Sequence, residues 1–583
     1  MKAFSTLKKF ILEHKWNYIL GILWLIIIDY VQLIVPQILG RATDLLQLGL
    51  LGSKGLIRYG LYIMLTGLII GVGRYIWRIY ILGTSRELEY YLRKKLFGHL
   101  LTLSANYFNY HKTGDLMAHA TNDINAVRHA FGQGIIMLVD STFMAIFTII
   151  MMIRTTTIKL TVIALFTLPF ITIVVNRFGR IIHRRFRIVQ EAFSDLTDIT
   201  QETFAGIRVI KSFVQENYIE EAFTNVNTDN FNKNLLLVKV SGLFHPLITF
   251  ISSISFLVVI VYGGRLVIYD VISLGDFVAF INYLNLLVWP MMALGWLVNL
   301  IQRGIASMER INHILYEEPE ITDSKDAIEL KNIKGKIEFK NVSFKYNKHT
   351  DYVLKNINFT IEEGKTLAIV GRTGSGKTTI VNLLLRLYDI QEGEIKIDGV
   401  NIKNIKLKNL RENISYVPQD NFLFTTTLRE NIGFAFDEPI DEDLMIKSSE
   451  IAQIYDNIMD FPDKFDTVIG ERGVTLSGGQ KQRVSIARAI AKDAPILILD
   501  DSLSSVDTDT EEKILKGLNR LANQKTTIII SHRISTVKDA DEIIVLDEGK
   551  IIERGDHASL LENNGLYKHL YEKQLLEEKI SRQ

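Results

Sequence analysis

The sequence predicts two units of different kinds in one chain: an all-α half whose six helices cross a membrane, then a soluble α/β domain. Three observations carry this. Residues 160–176, 240–264 and 277–302 hold no Asp, Glu, Lys or Arg, whereas a helix packed on a soluble core keeps a charged face. Past Glu309 that character ends, and residues 317–334 read as a polar linker. Beyond it Val342, Phe344 and Tyr346 alternate as in a strand, and residues 366–370, 496–499 and 527–530 have the unbroken apolar texture of buried parallel strands. The expected boundaries are 1–316 for the membrane half, 317–335 for the linker and 336–583 for the second domain.

The other three spans are less pure. Residues 17–40 are interrupted by Asp29, 59–83 by Arg74 and Arg78, and 133–153 by Asp140, yet each is too apolar for a soluble helix and near the roughly 20 residues that a bilayer needs. Short connections follow the first, third and fifth spans, and long polar helical stretches follow the second and fourth, so both long loops emerge on one side. They carry Arg86, Arg93, Lys94, Lys95, Arg177, Arg180, Arg184, Arg185 and Arg187, which places that side and both chain ends in the cytoplasm. The opening segment, with Lys8, Lys9 and Lys15 beside Phe4, Leu7, Phe10, Ile11 and Leu12, is patterned as an amphipathic helix and is expected to lie on the membrane surface.

Lys and Arg total 66 against 65 Asp and Glu, a formal charge of +1, so nothing in the balance points to nucleic acid. The absence of cysteine excludes disulfides, thiolate metal sites and cysteine nucleophiles.

The chemistry is concentrated in the second domain. Gly371-Arg372-Thr373-Gly374-Ser375-Gly376-Lys377-Thr378 follows a predicted strand and precedes a helical stretch opened by Thr379, the context a phosphate-binding loop requires. Its glycines let backbone N–H groups turn toward phosphates, Lys377 adds a point charge, and the Thr378 hydroxyl suits Mg²⁺. The ligand class is a nucleoside triphosphate. A second carboxylate site is expected, and Asp500 supplies it at the end of the apolar run 496–499.

Between those motifs stands Leu476-Ser477-Gly478-Gly479-Gln480, and over essentially its whole length the chain resembles exporters of the ATP-binding cassette (ABC) family with a fused membrane half. The resemblance implies a six-helix exporter domain followed by an α/β phosphate-loop cassette, with ATP and Mg²⁺ as cofactors. By the same resemblance Gln419 is the metal- and water-contacting glutamine, His532 the switch histidine, Asp507 the loop aspartate that meets a facing cassette, and Tyr346 the aromatic that stacks on adenine. Residues 467–474, containing Glu471, resemble a loop found in exporters, and residues 107–116 and 205–213 resemble the coupling helices that touch the cassettes. It further implies a dimer in which the phosphate loop of one cassette faces Ser477, Gly478, Gly479 and Gln480 of the other. The N–H groups of Gly478 and Gly479, leading into a helix, would form an anion site that one cassette alone leaves unfilled.

One position departs from the family pattern. Hydrolysis there relies on a Glu directly after the magnesium-binding Asp, and this chain has Asp501. The carboxylate then sits about 1.5 Å short, and misplacement near 1 Å costs on the order of 10²-fold in rate. The run 500–504 is similar to that of the degenerate subunit in bacterial heterodimeric multidrug pumps, so the expectation is a slow ATP site and a non-identical partner chain carrying the Glu. Hydrophobic or cationic drug-like compounds exported across a bacterial plasma membrane are the implied cargo. A homodimeric exporter, a lipid flippase and a nucleotide-sensing membrane subunit are the alternatives. Asp29, Asp140, Arg74 and Arg78 either face a cavity or pair with one another, and Trp16, Trp24, Trp77, Trp289 and Trp296 either contact aromatic cargo or form interfacial belts.

Overall fold

The computed structural model describes residues 2–166, 168–347, 351–470, 474–522 and 525–581. They form two compact units, one of Met1–Leu101 with Thr113–Glu317, the other of Thr102–Lys112 with Glu318–Gln583.

In the first unit the helices Lys15–Gln47, Ser53–Leu100, Thr113–Thr155, Glu216–Ile268 and Leu274–Leu315 are long and apolar enough to span a membrane. The remaining expected span, 160–176, runs through the helices Ile158–Leu165 and Leu168–Ala205, with residue 167 outside the described residues. Ser53–Leu100 has 48 residues, about 72 Å at 1.5 Å per residue against an apolar layer of about 30 Å. The polar stretches between spans are therefore helical continuations of them.

Close crossings need small residues. A Cβ on Gly275 would lie 2.1 Å from Gly40 O, and the adjacent Asp44 carboxylate accepts from Ser273 Oγ (2.8 Å) and Gly275 N (2.6 Å), capping Leu274–Leu315. Buried Asp123 accepts from Ser307 Oγ (2.9 Å) and Arg310 Nε (3.0 Å), bonds that offset the cost of burying a carboxylate.

The N-terminal segment packs part of its apolar face on the membrane unit. Leu7 and Phe10 are buried, Phe4 meets Phe131 edge-on at 5.0 Å, and Asn312 Nδ2 donates to Ala3 O (2.6 Å). Leu12 and Trp16 remain exposed.

The second unit contains, among the described residues, β1 (Ile337–Phe344), β2 (Leu354–Ile361), β3 (Thr366–Gly371), β4 (Glu392–Ile397), β5 (Val400–Asn401), β6 (Ile414–Val417), β7 (Ile496–Asp500), β8 (Thr526–Ile530), β9 (Glu542–Asp547) and β10 (Lys550–Gly555). One sheet has the order β2-β1-β4-β5 and is antiparallel; the other runs β10-β9-β3-β8-β7-β6, parallel except for the β10 edge. Alternation along β3 builds two cores. Leu367 and Ile369 pack with Phe339, Ile357 and Ile395 of the antiparallel sheet, while Ala368 and Val370 pack with Val484, Ala487 and Ile514 of the helices on the other face. The linker is bound to this unit: Leu407 N donates to Asp323 Oδ1 (2.7 Å), and Asp398 accepts from the backbone of Lys334 and Lys336, each at 2.8 Å. Residues 102–112 also belong here, although the sequence reading placed them in the membrane half; Asn106 and Asn109 bond to Glu320 and Tyr388.

Candidate nucleotide site and membrane cavity

β3 ends at Gly371 and the next helix begins at Lys377, so the intervening loop sits at the carboxyl edge of the parallel strands, where α/β sheets bind ligands. Two glycines are forced. A Cβ on Gly371 would lie 2.1 Å from Leu546 O, and Gly376 turns into the helix at φ 102°. Lys377 Nζ donates to Gly371 O (3.0 Å) and Arg372 O (2.9 Å). Burial pulls this ammonium below its usual range, while the Asp501 and Asp500 carboxylates oppose the shift.

β7 brings Asp500 to the same edge, where Thr378 Oγ1 donates to its Oδ1 (3.2 Å) and its Oδ2 is buried without a hydrogen-bond partner. Burial pushes the carboxyl up to about 6; Asp501 adds to this, and Thr378, Lys377 and Tyr416 oppose it. An under-bonded carboxylate oxygen beside a hydroxyl is a hard oxygen set that fits Mg²⁺. Tyr416 was not singled out by sequence; it reaches Asp500 because β6 and β7 pair Tyr416 with Ile498.

Asp501 follows with φ 45°, its N–H donating to Ile530 O (2.8 Å). The left-handed conformation is one that Asp tolerates better than longer side chains. His532 leaves β8 nearby, and burial and then Lys377 push its imidazole below the usual range against the pull of Asp501, so the ring is neutral at pH 7. Its loop is clasped from two sides that sequence did not reveal. Ile534 N donates to Gln574 Oε1 (2.8 Å) and Gln574 Nε2 to His532 O, while Arg533 reaches Ser504 O (3.0 Å), Val506 O (3.2 Å) and Glu511 Oε2 (2.5 Å).

These groups line one cavity of about 290 Å³: Tyr346, Thr373, Gly374, Gly376, Lys377, Thr378, Thr379, Gln419, Asp500, Asp501 and His532, with Val353 and Ile530. Gly371, Arg372 and Ser375 shape the loop behind that wall. Ser477, Gly478, Gly479, Gln480 and Asp507 do not reach it. Ser477 and Gln480 form a reciprocal capping box at the start of Gly478–Ala491, with Ser477 N to Gln480 Oε1 at 2.9 Å, and the Ser477 hydroxyl keeps its own proton to donate. Gly479 is required because a Cβ would lie 2.8 Å from Ser505 O. Gln482, not foreseen, ties the same helix to that loop, donating to Ser504 Oγ (3.2 Å) and accepting from Ser505 N (3.0 Å). Asp507 accepts from Thr510 N (2.9 Å), capping the following helix. The exporter-type loop around Glu471 lies outside the described residues at 471–473.

The membrane unit holds a cavity of about 470 Å³ lined by Trp77, Arg78, Leu82 and Ser85, by Arg128, His129, Gly132, Gln133, Ile136, Met137 and Asp140, and by Trp289. π-helical turns at Ile79–Gly83 and Ala130–Gly134 interrupt two of its walls, a deviation frequent at functional sites. Asp29, for which the sequence left open a cavity-facing or a paired position, does not line it: the residue is 2 % exposed, facing Asp140 and Arg74 from within the helix packing.

The model of the ABC transporter transmembrane region matches residues 18–291, and that of the ABC transporter ATP-binding region, "ABC transporter", matches residues 354–504. The chain is 41 % identical to the probable multidrug resistance ABC transporter ATP-binding/permease protein YheI of Bacillus subtilis (strain 168), over 98 % of each chain. The chain belongs to the ABC transporter family. Its cassette is an ATPase domain coupled to transport, its helical half is a membrane domain, and ABC exporters work as dimers in a membrane. This ABC exporter half is also 37 % identical to an ATP-dependent lipid A-core flippase of Syntrophus aciditrophicus (strain SB), over 84 % of this chain and 81 % of that one. Its fold matches a bacterial Atm1-family ABC exporter with ATP bound, at a TM-score of 0.79 and 25 % identity, over 98 % of this chain and all of that one.

Proposed function

We propose that the chain is one half of a heterodimeric exporter of amphipathic compounds in a bacterial plasma membrane, with its cassette and both termini cytoplasmic and its own ATP site slow. The observation that carries this is Asp501, which stands where the pocket needs a general base, beside a fully assembled phosphate loop and a complete signature helix outside the pocket. The backbone of residues 371–376 and Lys377 bind the β- and γ-phosphates. Thr378, Asp500 and Gln419 would hold Mg²⁺, which supplies charge neutralisation at the transferring phosphoryl group. Neutral His532 hydrogen-bonds at the γ-phosphate end, and Asp501 accepts the proton of the attacking water from a carboxylate one methylene too short. The signature helix keeps the Gly478 and Gly479 N–H groups and the Ser477 hydroxyl for the facing chain's ATP, whose own Glu makes that site the fast one.

The membrane cavity supports an amphipathic cargo. Its volume suits a drug-sized molecule, and it sets the Trp77 and Trp289 indoles beside Arg78 and Asp140. A second reading, translocation of a lipid, is favoured by the 37 % identity to an ATP-dependent lipid A-core flippase.

The deciding experiment is ATP turnover of the purified chain in lipid, wild type against Asp501→Glu, with a check for a co-purifying second chain. Negligible wild-type turnover raised sharply by Glu supports a degenerate half-site. Robust wild-type turnover without a partner makes the homodimeric exporter the answer. Stimulation by lipid but not by drugs selects the flippase reading.

A further inference from the structure

The short helix Ala105–Tyr110 lies in the same compact unit as the nucleotide pocket. Asn106 and Asn109, three residues apart and so on one helix face, tie it there. Asn106 Nδ2 donates to both Glu320 oxygens (3.0 and 3.1 Å), and Asn109 Nδ2 donates to Tyr388 Oη (2.8 Å). The Tyr388 ring stands edge-on to Tyr346, with 5.0 Å between centroids and 89° between planes. Tyr346 Oη shares a hydrogen bond of 2.9 Å with Thr379 Oγ1, in the helix that leaves the phosphate loop. Phe344 closes the aromatic cluster, 4.9 Å from Tyr346 and 5.9 Å from Tyr388.

We propose that Tyr388 is a positioning residue that transmits occupancy of the nucleotide pocket to the helix Ala105–Tyr110. The inference rests on the reading that Tyr346 faces the nucleotide base. A base stacked on Tyr346 fixes the plane of that ring. The edge-to-face contact depends on the angle between planes, so fixing Tyr346 fixes Tyr388, and the hydroxyl carried by Tyr388 is the acceptor for Asn109. Hydrogen bonds weaken steeply with misalignment, which converts a ring reorientation into a change in how firmly the Asn109 end of the helix is held. Asn106 and Glu320 anchor the other end by hydrogen bonds that do not pass through the Tyr388 hydroxyl, so the helix stays docked while one end responds.

Hydrogen–deuterium exchange of the full chain in lipid nanodiscs, with and without Mg·ATP, tests this without knowledge of the cargo. In the wild type, ATP should slow exchange in residues 371–379 and also in 105–111. Tyr388→Phe keeps the ring and removes the acceptor. It should preserve the slowing at 371–379 and reduce the ATP-dependent slowing at 105–111 by about two- to tenfold, the factor carried by one hydrogen bond. Asn109→Ala should do the same. Asn106→Ala, which removes the anchor and leaves Tyr388 and Asn109 in place, should speed exchange at 105–111 equally with and without ATP. Undiminished ATP-dependent slowing at 105–111 in both Tyr388→Phe and Asn109→Ala overturns the relay, as does wild-type slowing at 371–379 with none at 105–111. No wild-type slowing at 371–379 would defeat the nucleotide-pocket reading itself, and the relay with it.

Discussion

The nucleotide pocket of about 290 Å³ and the membrane cavity of about 470 Å³ both gather carboxylates and cations, yet they are built in opposite ways. In the pocket the polar groups around the phosphate loop are fixed before any ligand arrives: Lys377 by two carbonyls, Thr378 by Asp500 and the His532 loop by Gln574. In the cavity Arg128 is held by Glu89 at 3.1 Å, but Arg78 rests over the Trp77 ring at 5.5 Å, and among the described residues neither Arg78 nor Asp140 has an ion-pair partner. Fixed dipoles favour one charge distribution strongly, whereas loosely held groups accept many partners weakly. Substitutions in the pocket should therefore change rates by orders of magnitude, and substitutions in the cavity should change preferences by small factors.

The largest effect is expected at Lys377. Lys377→Ala removes the buried cation aimed at the phosphates, and loss of one such stabilising group costs on the order of 10²- to 10³-fold. ATP turnover of the Asp501→Glu chain alone in lipid, with and without Lys377→Ala, measures that loss at this chain's own site. Next comes Asp501→Glu. Restoring the missing methylene should raise turnover of the chain alone by on the order of 10²-fold. An unchanged rate would mean that the left-handed backbone at position 501, φ 45°, keeps even the longer carboxylate out of reach.

A smaller effect should come from the strut between signature helix and the loop after Asp501. Gln482→Leu keeps the volume but leaves Ser505 N without its acceptor, in a residue that is 3 % exposed. The expected loss is about 1–3 kcal/mol of cassette stability, read as a lowered melting temperature. A wild-type melting curve would show that water satisfies the freed groups.

The same contrast governs what sequence could show. The phosphate loop is a consecutive run whose backbone does the binding, and Asp500 ends an apolar strand, so both were visible one-dimensionally. Gln482, Tyr416 and Gln574 were not, because their contacts arise from strand register, loop return and helix docking across 22 to 84 residues. The cavity was hidden for a different reason. Its walls come from three helices, and which faces meet depends on helix rotation, to which apolar composition is blind. That is why Asp29 and Asp140 looked equivalent as sequence and are not: one is buried in the packing, the other lines the cavity. Residues 102–112 group with the second unit for a like reason, since Asn106 and Asn109 find their partners in Glu320 and Tyr388, more than 200 residues along the chain.

The smallest expected effect makes the sharpest use of that inequality. Asp140→Asn removes a carboxylate from the cavity wall, where a partly exposed charge contributes about 0.2–1 kcal/mol to a pair, or roughly a 1.4- to 5-fold change in affinity. Efflux of a cationic dye relative to a neutral one of similar size, measured in cells carrying the assembled exporter, should fall by that factor. Asp29→Asn should move the ratio less than Asp140→Asn, because its side chain is closed off by helix packing and can act on cargo only through the Asp140 carboxylate it faces. A ratio that moves for Asp29→Asn and not for Asp140→Asn would mean that cargo reaches the packing between the first and third spans instead. The adaptable site would then be a gap opened between helices, not the cavity already formed.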